Sequence, residues 1–294
     1  ASVAARNPGL VAPAAMSSTL EFLHGHLAGA VGLCFASCAH DAGDDKDGAE
    51  VEPGRVHLIT GGADCLVSVR PAGEYGDAET ELDDHDEAVT CVACDGGALE
   101  GGSAAAAGEG VAPTTLFATA SEDRFVKLYA YPDINFQTNA TRFELPVRAV
   151  EFSPDGDMLA AGGEDEAIKI ISVDKSGMGE GGKLAKCKHV RSLKTVGKTV
   201  KSIRWDPEGA FISAVAADGT LQIWDARTGE SVLTRRNLCP RTEPAGAAAA
   251  HASWHPEGVF LAVPGPSGDV AFLERLSWDD AEQPALPSKA DGEP

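Results

Sequence analysis

The chain has 294 residues, 43% hydrophobic and 23% charged, a globular composition long enough for one large domain or two ordinary ones. Its formal net charge of −21 at pH 7 argues against direct binding to a phosphate backbone and would attract basic peptides or histone tails instead, but acidity of this kind more often serves solubility alone, which is the favoured reading. No apolar run reaches the roughly 18 residues that a membrane helix needs, so no membrane span is expected.

Residues 1–20, "ASVAARNPGLVAPAAMSSTL", lack the continuous apolar stretch of a signal peptide and read as a disordered leader. From 21 to 278 short apolar stretches alternate with turns rich in Gly, Pro and Asp, the pattern of many short strands, so the fold class is all-β. Two segments without apolar periodicity, at about 40–55 and 95–113, read as insert loops. Residues 279–294 read as a disordered tail. The Cys count of seven is odd, and the alternation of "AVTCVACD" points Cys91 and Cys94 to opposite faces of a strand, so buried free thiols are expected rather than a zinc site.

Three stretches repeat one plan: "EFSPDGDMLAAGGEDEAIKIISV", "RWDPEGAFISAVAADGTLQIWDA" and "SWHPEGVFLAVPGPSGDVAFLER". In each, a Pro-acid-Gly turn follows one strand, because proline fixes φ at the second turn position and glycine accepts the closing conformation. A second, tight turn carries an Asp, and across the chain these are Asp64, Asp123, Asp165, Asp218 and Asp269, separated by 59, 42, 53 and 51 residues. Trp224-Asp225 follows Asp218 in the next strand, and His85 stands ahead of the strand "AVTCVA". A single small sheet cannot bury both faces, so such units must stack on copies of themselves.

This constellation resembles the WD-repeat family, whose fold is a β-propeller of four-stranded blades. The resemblance implies about five recognisable blades over residues 21–278, an incomplete ring, since the family ring needs about seven. Residues 128–173, with "TRF" at Thr141–Phe143 and "AAGGEDEAIKIISV", are similar to the third repeat of the eukaryotic replisome adaptors. That family is known in animals as acidic nucleoplasmic DNA-binding protein and in yeast as chromosome transmission fidelity factor. "SWHPEGVFLAVPGPSGDVAFLERLSW" resembles their fifth repeat. The resemblance implies a nuclear, non-enzymatic scaffold for replication and chromatin factors. Its partners would be proteins or short peptides, among them polymerase α-primase and the replicative helicase, engaged through a later region that this chain lacks. The chain is therefore expected to be a fragment. The alternative is another WD scaffold, such as a ubiquitin-ligase substrate receptor or a histone-binding subunit.

Five carboxylates on one ring invite an acid/base reading, but the family implies a structural one, with each Asp holding its own turn. His85, Ser121 and Asp123 would form one such network, and Trp224 with Asp225 would stand at the packed strand position. The channel-rim positions of the family fall on Arg148 and Lys201, which follow the strand-opening Val147 and Val200, and on Glu122 and Glu164, just before the turn Asp. These four are the expected partner contacts. No metal, cofactor or catalytic set is expected, because no H-E-x-x-H, P-loop or Ser/His/Asp arrangement stands apart from the repeats. Residues 183–204 hold eight Lys/Arg and no acid; they read as a solvated strand and loop, with a basic face for an acidic peptide as the second reading.

Overall fold

The computed structural model describes residues 30–37, 56–71, 80–95, 115–131, 134–176, 185–241 and 251–275. The leader, the tail and nearly all of the two insert segments lie outside them. Every described element is a strand or a turn. The first sheet contains β1 (Ala30–Ser37), β2 (Val56–Gly62), β3 (Val67–Pro71) and β4 (Thr80–Leu82), and the second β5 (Val89–Cys94), β6 (Thr115–Ser121), β7 (Phe125–Tyr131) and β8 (Asn135–Arg142). The third holds β9 (Val147–Phe152), β10 (Met158–Gly163), β11 (Ala167–Asp174) and β12 (Lys186–Lys194), and the fourth β13 (Val200–Trp205), β14 (Phe211–Ala216), β15 (Leu221–Asp225) and β16 (Ser231–Arg235). In the fifth, β17 (Ser253–Trp254), β18 (Phe260–Pro264) and β19 (Val270–Glu274) make three strands among the described residues, where four were expected.

All pairings are antiparallel meanders, as short strands joined by tight turns dictate. The Pro-acid-Gly turns close with Gly156 N–H donating to Ser153 O, Gly209 to Asp206 O and Gly258 to His255 O. At these three glycines φ is 72°, 70° and 68°, a conformation that a Cβ disfavours.

The hydrophobic core lies between sheets. Ile59 and Val69 of the first sheet pack with Phe117 and Tyr131 of the second. Leu116 and Leu128 of the second meet Leu159 and Ile171 of the third. Ile168 and Leu193 of the third meet Ile212 and Trp224 of the fourth, and Val215 and Ile223 of the fourth meet Leu261 and Val263 of the fifth. Each middle sheet is thus buried on both faces, which is why β6 is buried at every position and β10 and β14 at all but the first. Cys91 packs toward the third sheet and Cys94 toward the first, on opposite faces of β5. Cys239 is buried, while Cys34, Cys65, Cys91, Cys94 and Cys187 are half-buried, less enclosed than expected.

The first strands β1, β5, β9, β13 and β17 lie side by side along one edge of the stack. Gly32 permits the tightest approach of β1 to β5, since a Cβ there would stand 2.9 Å from the Val92 nitrogen. The stack does not close: no buried cluster among the described residues joins the fifth sheet to the first.

Candidate interaction site

The second sheet carries the fullest side-chain network. The turn between β6 and β7 places Asp123 so that Oδ1 accepts the Phe125 amide at 2.9 Å, holding the strand reversal. Its Oδ2 accepts from His85 Nδ1 at 2.7 Å, and His85 Nε2 lies 2.7 Å from Thr119 Oγ1. With the carboxylate as acceptor, Nδ1 carries the proton, so in the neutral ring Nε2 accepts the threonine hydroxyl. Burial alone raises the Asp123 carboxyl, but the hydrogen bonds from His85 and Phe125 and the charges of His85 and Lys127 outweigh it and hold it below its ordinary value. Ser121 does not touch His85. Its hydroxyl donates to Glu87 O at 2.9 Å and accepts the Asp123 amide at 3.1 Å. Thr119 is the residue that sequence reasoning missed. It lies two positions before Ser121 on the same strand face, so alternation alone does not choose between them.

The other turn carboxylates vary the theme. Asp64 Oδ1 accepts the Leu66 amide at 3.3 Å, and Asp218 Oδ1 the Thr220 amide at 3.0 Å. Asp165 reaches across instead and accepts the amides of Glu144 and Leu145, in the loop that leads into its own sheet. In the fourth sheet the corresponding loop amide, Val196 N–H, donates to Gln222 Oε1 at 3.0 Å.

Asp269 is a correction. Gly219 donates to Ala216 O and Gly268 to Gly265 O, so the two glycines are equivalent, with φ of 80° and 85°. The residue matching Asp218 is therefore Ser267, and Asp269 stands two positions later. The strand pairs agree: Ile212 faces Trp224, and Leu261 faces Leu273. Positive φ, which glycine accepts, fixes the turn register, and "PSGD" reverses the order of "AADG" around it.

Trp224 is 1% exposed within the layer between the third and fourth sheets. Asp225 Oδ1 accepts the Thr228 amide at 2.6 Å and closes the turn into β16.

At the edge formed by the first strands, Arg148 sits in the second position of β9. Its Nε and Nη2 donate to Glu164 Oε1 at 3.1 and 2.6 Å, and its Nη1 donates to Glu122 Oε1. One guanidinium thereby bridges carboxylates of the second and third sheets. Burial lowers the Arg148 pKa, yet Glu164 and Glu122 more than offset this and raise it. Lys201, at the matching position of β13, is half-buried and is not joined to the cluster. The described part of the basic stretch forms β12, an outer strand whose Lys186, Lys188 and Lys194 are exposed, and continues through a loop into most of β13.

Three residues further along the same strands a second cluster appears, which sequence reasoning did not anticipate. Glu151 Oε2 accepts the Trp205 amide at 2.8 Å and Oε1 accepts from Arg204 Nη1 at 3.3 Å. Burial pushes the Glu151 carboxyl up to about 7, against the opposing pull of Arg204. Among the described residues no group of three His, Cys, Asp or Glu is arranged to hold a metal, and no helix is long and apolar enough to cross a membrane.

The model of the WD domain, G-beta repeat, matches residues 138–172 and 187–225. Each match begins in the last strand of one sheet and ends in the third strand of the next, so the repeat straddles two sheets. The chain is 26% identical over 162 residues to Minichromosome loss protein 1 of Schizosaccharomyces pombe, covering 55% of this chain and 18% of that protein. It is 27% identical over 149 residues to WD repeat and HMG-box DNA-binding protein 1 of Xenopus laevis, covering 50% of this chain and 12% of that one. Protein ENHANCER OF LHP1 1 of Arabidopsis thaliana is 34% identical over 166 residues, 56% of this chain and 16% of its own length. The chain thus spans less than a fifth of the length of these relatives. The chain thus carries WD repeats at residues 138–172 and 187–225, within an all-β stack of five antiparallel sheets consistent with the blades of a β-propeller.

Proposed function

We propose that the chain is a protein-interaction scaffold of the nucleus that links DNA replication and chromatin factors. The observation that carries this reading is the similarity to Minichromosome loss protein 1 and to WD repeat and HMG-box DNA-binding protein 1, over about half of this chain. The resemblance of residues 128–173 to a replisome-adaptor repeat points the same way. The mechanism is binding on a rigid, preorganised surface, without a chemical step. Arg148, Glu122, Glu164 and Lys201 are the proposed contact positions, and polymerase α-primase and the replicative helicase are the proposed larger partners.

Tagging the endogenous protein tests this reading. The expected result is nuclear signal over sites of pulse-labelled DNA synthesis and recovery of polymerase α-primase or helicase subunits. Recovery of histones without replication proteins would favour the histone-binding alternative. Exclusion from the nucleus would overturn both.

A further inference from the structure

The cluster at the far ends of β9, β13 and β17 is built like a receptor for a side chain. A cleft of about 360 Å³ opens there, lined by Glu151, Arg204, Trp205, Asp206, Ser253 and Trp254 among others. That volume lies at the low end of ligand pockets and accommodates a long side chain. Two buried polar atoms of the lining have no hydrogen-bond partner among the described residues. Trp205 is 8% exposed and its Nε1 donates to nothing, while Asp206 is fully buried and its Oδ2 accepts nothing. Buried polar groups are rarely left so, and both residues line the cleft.

The surrounding groups are already engaged. Asp206 Oδ1 accepts the Phe211 amide at 2.7 Å. The guanidinium of Arg275 stands 3.8 Å from Asp206 Oδ2, but its hydrogen bond goes to Glu208 at 2.9 Å. Trp254 Nε1 donates to Ser213 Oγ at 3.2 Å, which fixes its ring. Arg204 pairs with Glu151 at 3.3 Å, and Asp206 has only the more distant Arg275 guanidinium, at 3.8 Å, as its cation. An acidic ligand would face that carboxylate on a protein of net charge −21. A cation would complete it.

We propose that this cleft receives the cationic side chain of a basic peptide, an arginine or lysine whose N–H groups donate to Asp206 and Glu151 and whose backbone carbonyl accepts from Trp205 Nε1. The indole rings of Trp205 and Trp254 supply faces for the cation and its alkyl stem. The inference rests on the reading of the chain as an interaction protein, but not on its place in replication.

The probe is a short synthetic peptide, acetyl-Gly-Gly-Arg-Gly-Gly-amide, with lysine and glutamine versions, titrated into the protein labelled with 15N at its tryptophan indoles. The arginine or lysine peptide is expected to shift the Trp205 and Trp254 indole resonances and to leave that of Trp224 in place, while the glutamine peptide shifts none. Glu151→Gln and Asp206→Asn should each weaken binding by about tenfold or more, as loss of a charged hydrogen-bond partner does. Ser253→Arg, at an exposed position outside the buried hydrogen bonds, should block the cleft and covers the case in which either carboxylate variant fails to fold. No resonance shift at millimolar peptide, equal binding of the glutamine version, or unchanged affinity in correctly folded variants would overturn the proposal. None of these results depends on nuclear localisation or on replication partners, so the two readings fail separately.

Discussion

His85 Nδ1 and Asp123 Oδ2 lie 2.7 Å apart across 38 residues of sequence, and both side chains are buried. This contact ties the loop ahead of β5 to the turn after β6, and Thr119 extends it onto the strand between them. Removing the ring leaves a carboxylate oxygen and a hydroxyl that water reaches poorly. His85→Ala is therefore expected to cost about 1–3 kcal/mol in chemical denaturation. Thr119→Ala should add less in the His85→Ala background than alone, because the two share one network. Additive losses would separate them.

The Asp123 carboxyl has its own signature. Its folded pKa is held below the ordinary value, so the stabilisation is present above the unfolded pKa of about 3.9 and is lost as pH falls through the folded one. Asp123→Asn should be less stable than the parent at pH 7, and the gap should narrow as pH drops below about 4. A gap that stays constant through that range would remove the carboxylate from the account.

Trp224 anchors the layer between the third and fourth sheets, facing Ile212 across the strands. Trp224→Ala is expected to destabilise by about 3–5 kcal/mol, the transfer of a large buried side chain plus the cavity left behind. A loss below about 1 kcal/mol would mean that the layer collapses around the gap or that the ring is solvated in solution.

What the sequence made legible was local chemistry. Proline before an acid and glycine, and apolar alternation on either side, identify strands and reversals because each turn is specified by its own few residues. The misreadings came where two solutions share a local pattern. Asp269 fits the spacing of the series, yet the glycine beside it sets the register and passes the equivalent position to Ser267. Ser121 and Thr119 point the same way from β6, and only the packed loop shows which one meets His85. Pairings between sheets carry no local signal at all. Glu151 meets Arg204 across 53 residues, and Arg148 joins Glu122 to Glu164 from two different turns. The rim positions were named singly from the resemblance, but that one guanidinium bridges both acids follows only from the stacking.

Glu151 gives a pH dependence of the opposite sign to Asp123. Burial raises its folded pKa to about 7, above the ordinary carboxylate range, and Arg204 only partly offsets this. A raised pKa means that the folded state takes up the proton more readily, so the contribution is fully present below the unfolded pKa of about 4.3 and is lost as pH rises through about 7. Glu151→Gln, which keeps an acceptor for the Trp205 amide, should remove that loss and gain on the parent by on the order of 1–3 kcal/mol between pH 5 and pH 8. Denaturation midpoints across that range decide it. A parent and variant that run parallel would mean that Glu151 titrates in the folded state as it does in the unfolded one.

The two ends of the stack present apolar surface. On β19 the side chains alternate: Ala271 and Leu273 turn toward the fourth sheet, while Val270 and Phe272 are 58% and 64% exposed. Leu273 thus belongs to the packed face. On β1, Val31 and Leu33 are 57% and 63% exposed. In a closed ring the last sheet packs on the first and such faces cover each other. Here they face outward from opposite ends, so a second copy can present one to the other, a contact that extends rather than closes. The chain is expected to self-associate at micromolar concentration, with a sedimentation coefficient that rises with loading. Phe272→Glu places a charge in the centre of one face and should shift the distribution toward monomer without unfolding the protein, because that side chain packs on the surface against Phe260. A monodisperse monomer at high concentration, unaffected by Phe272→Glu, would show that these faces do not meet each other in solution.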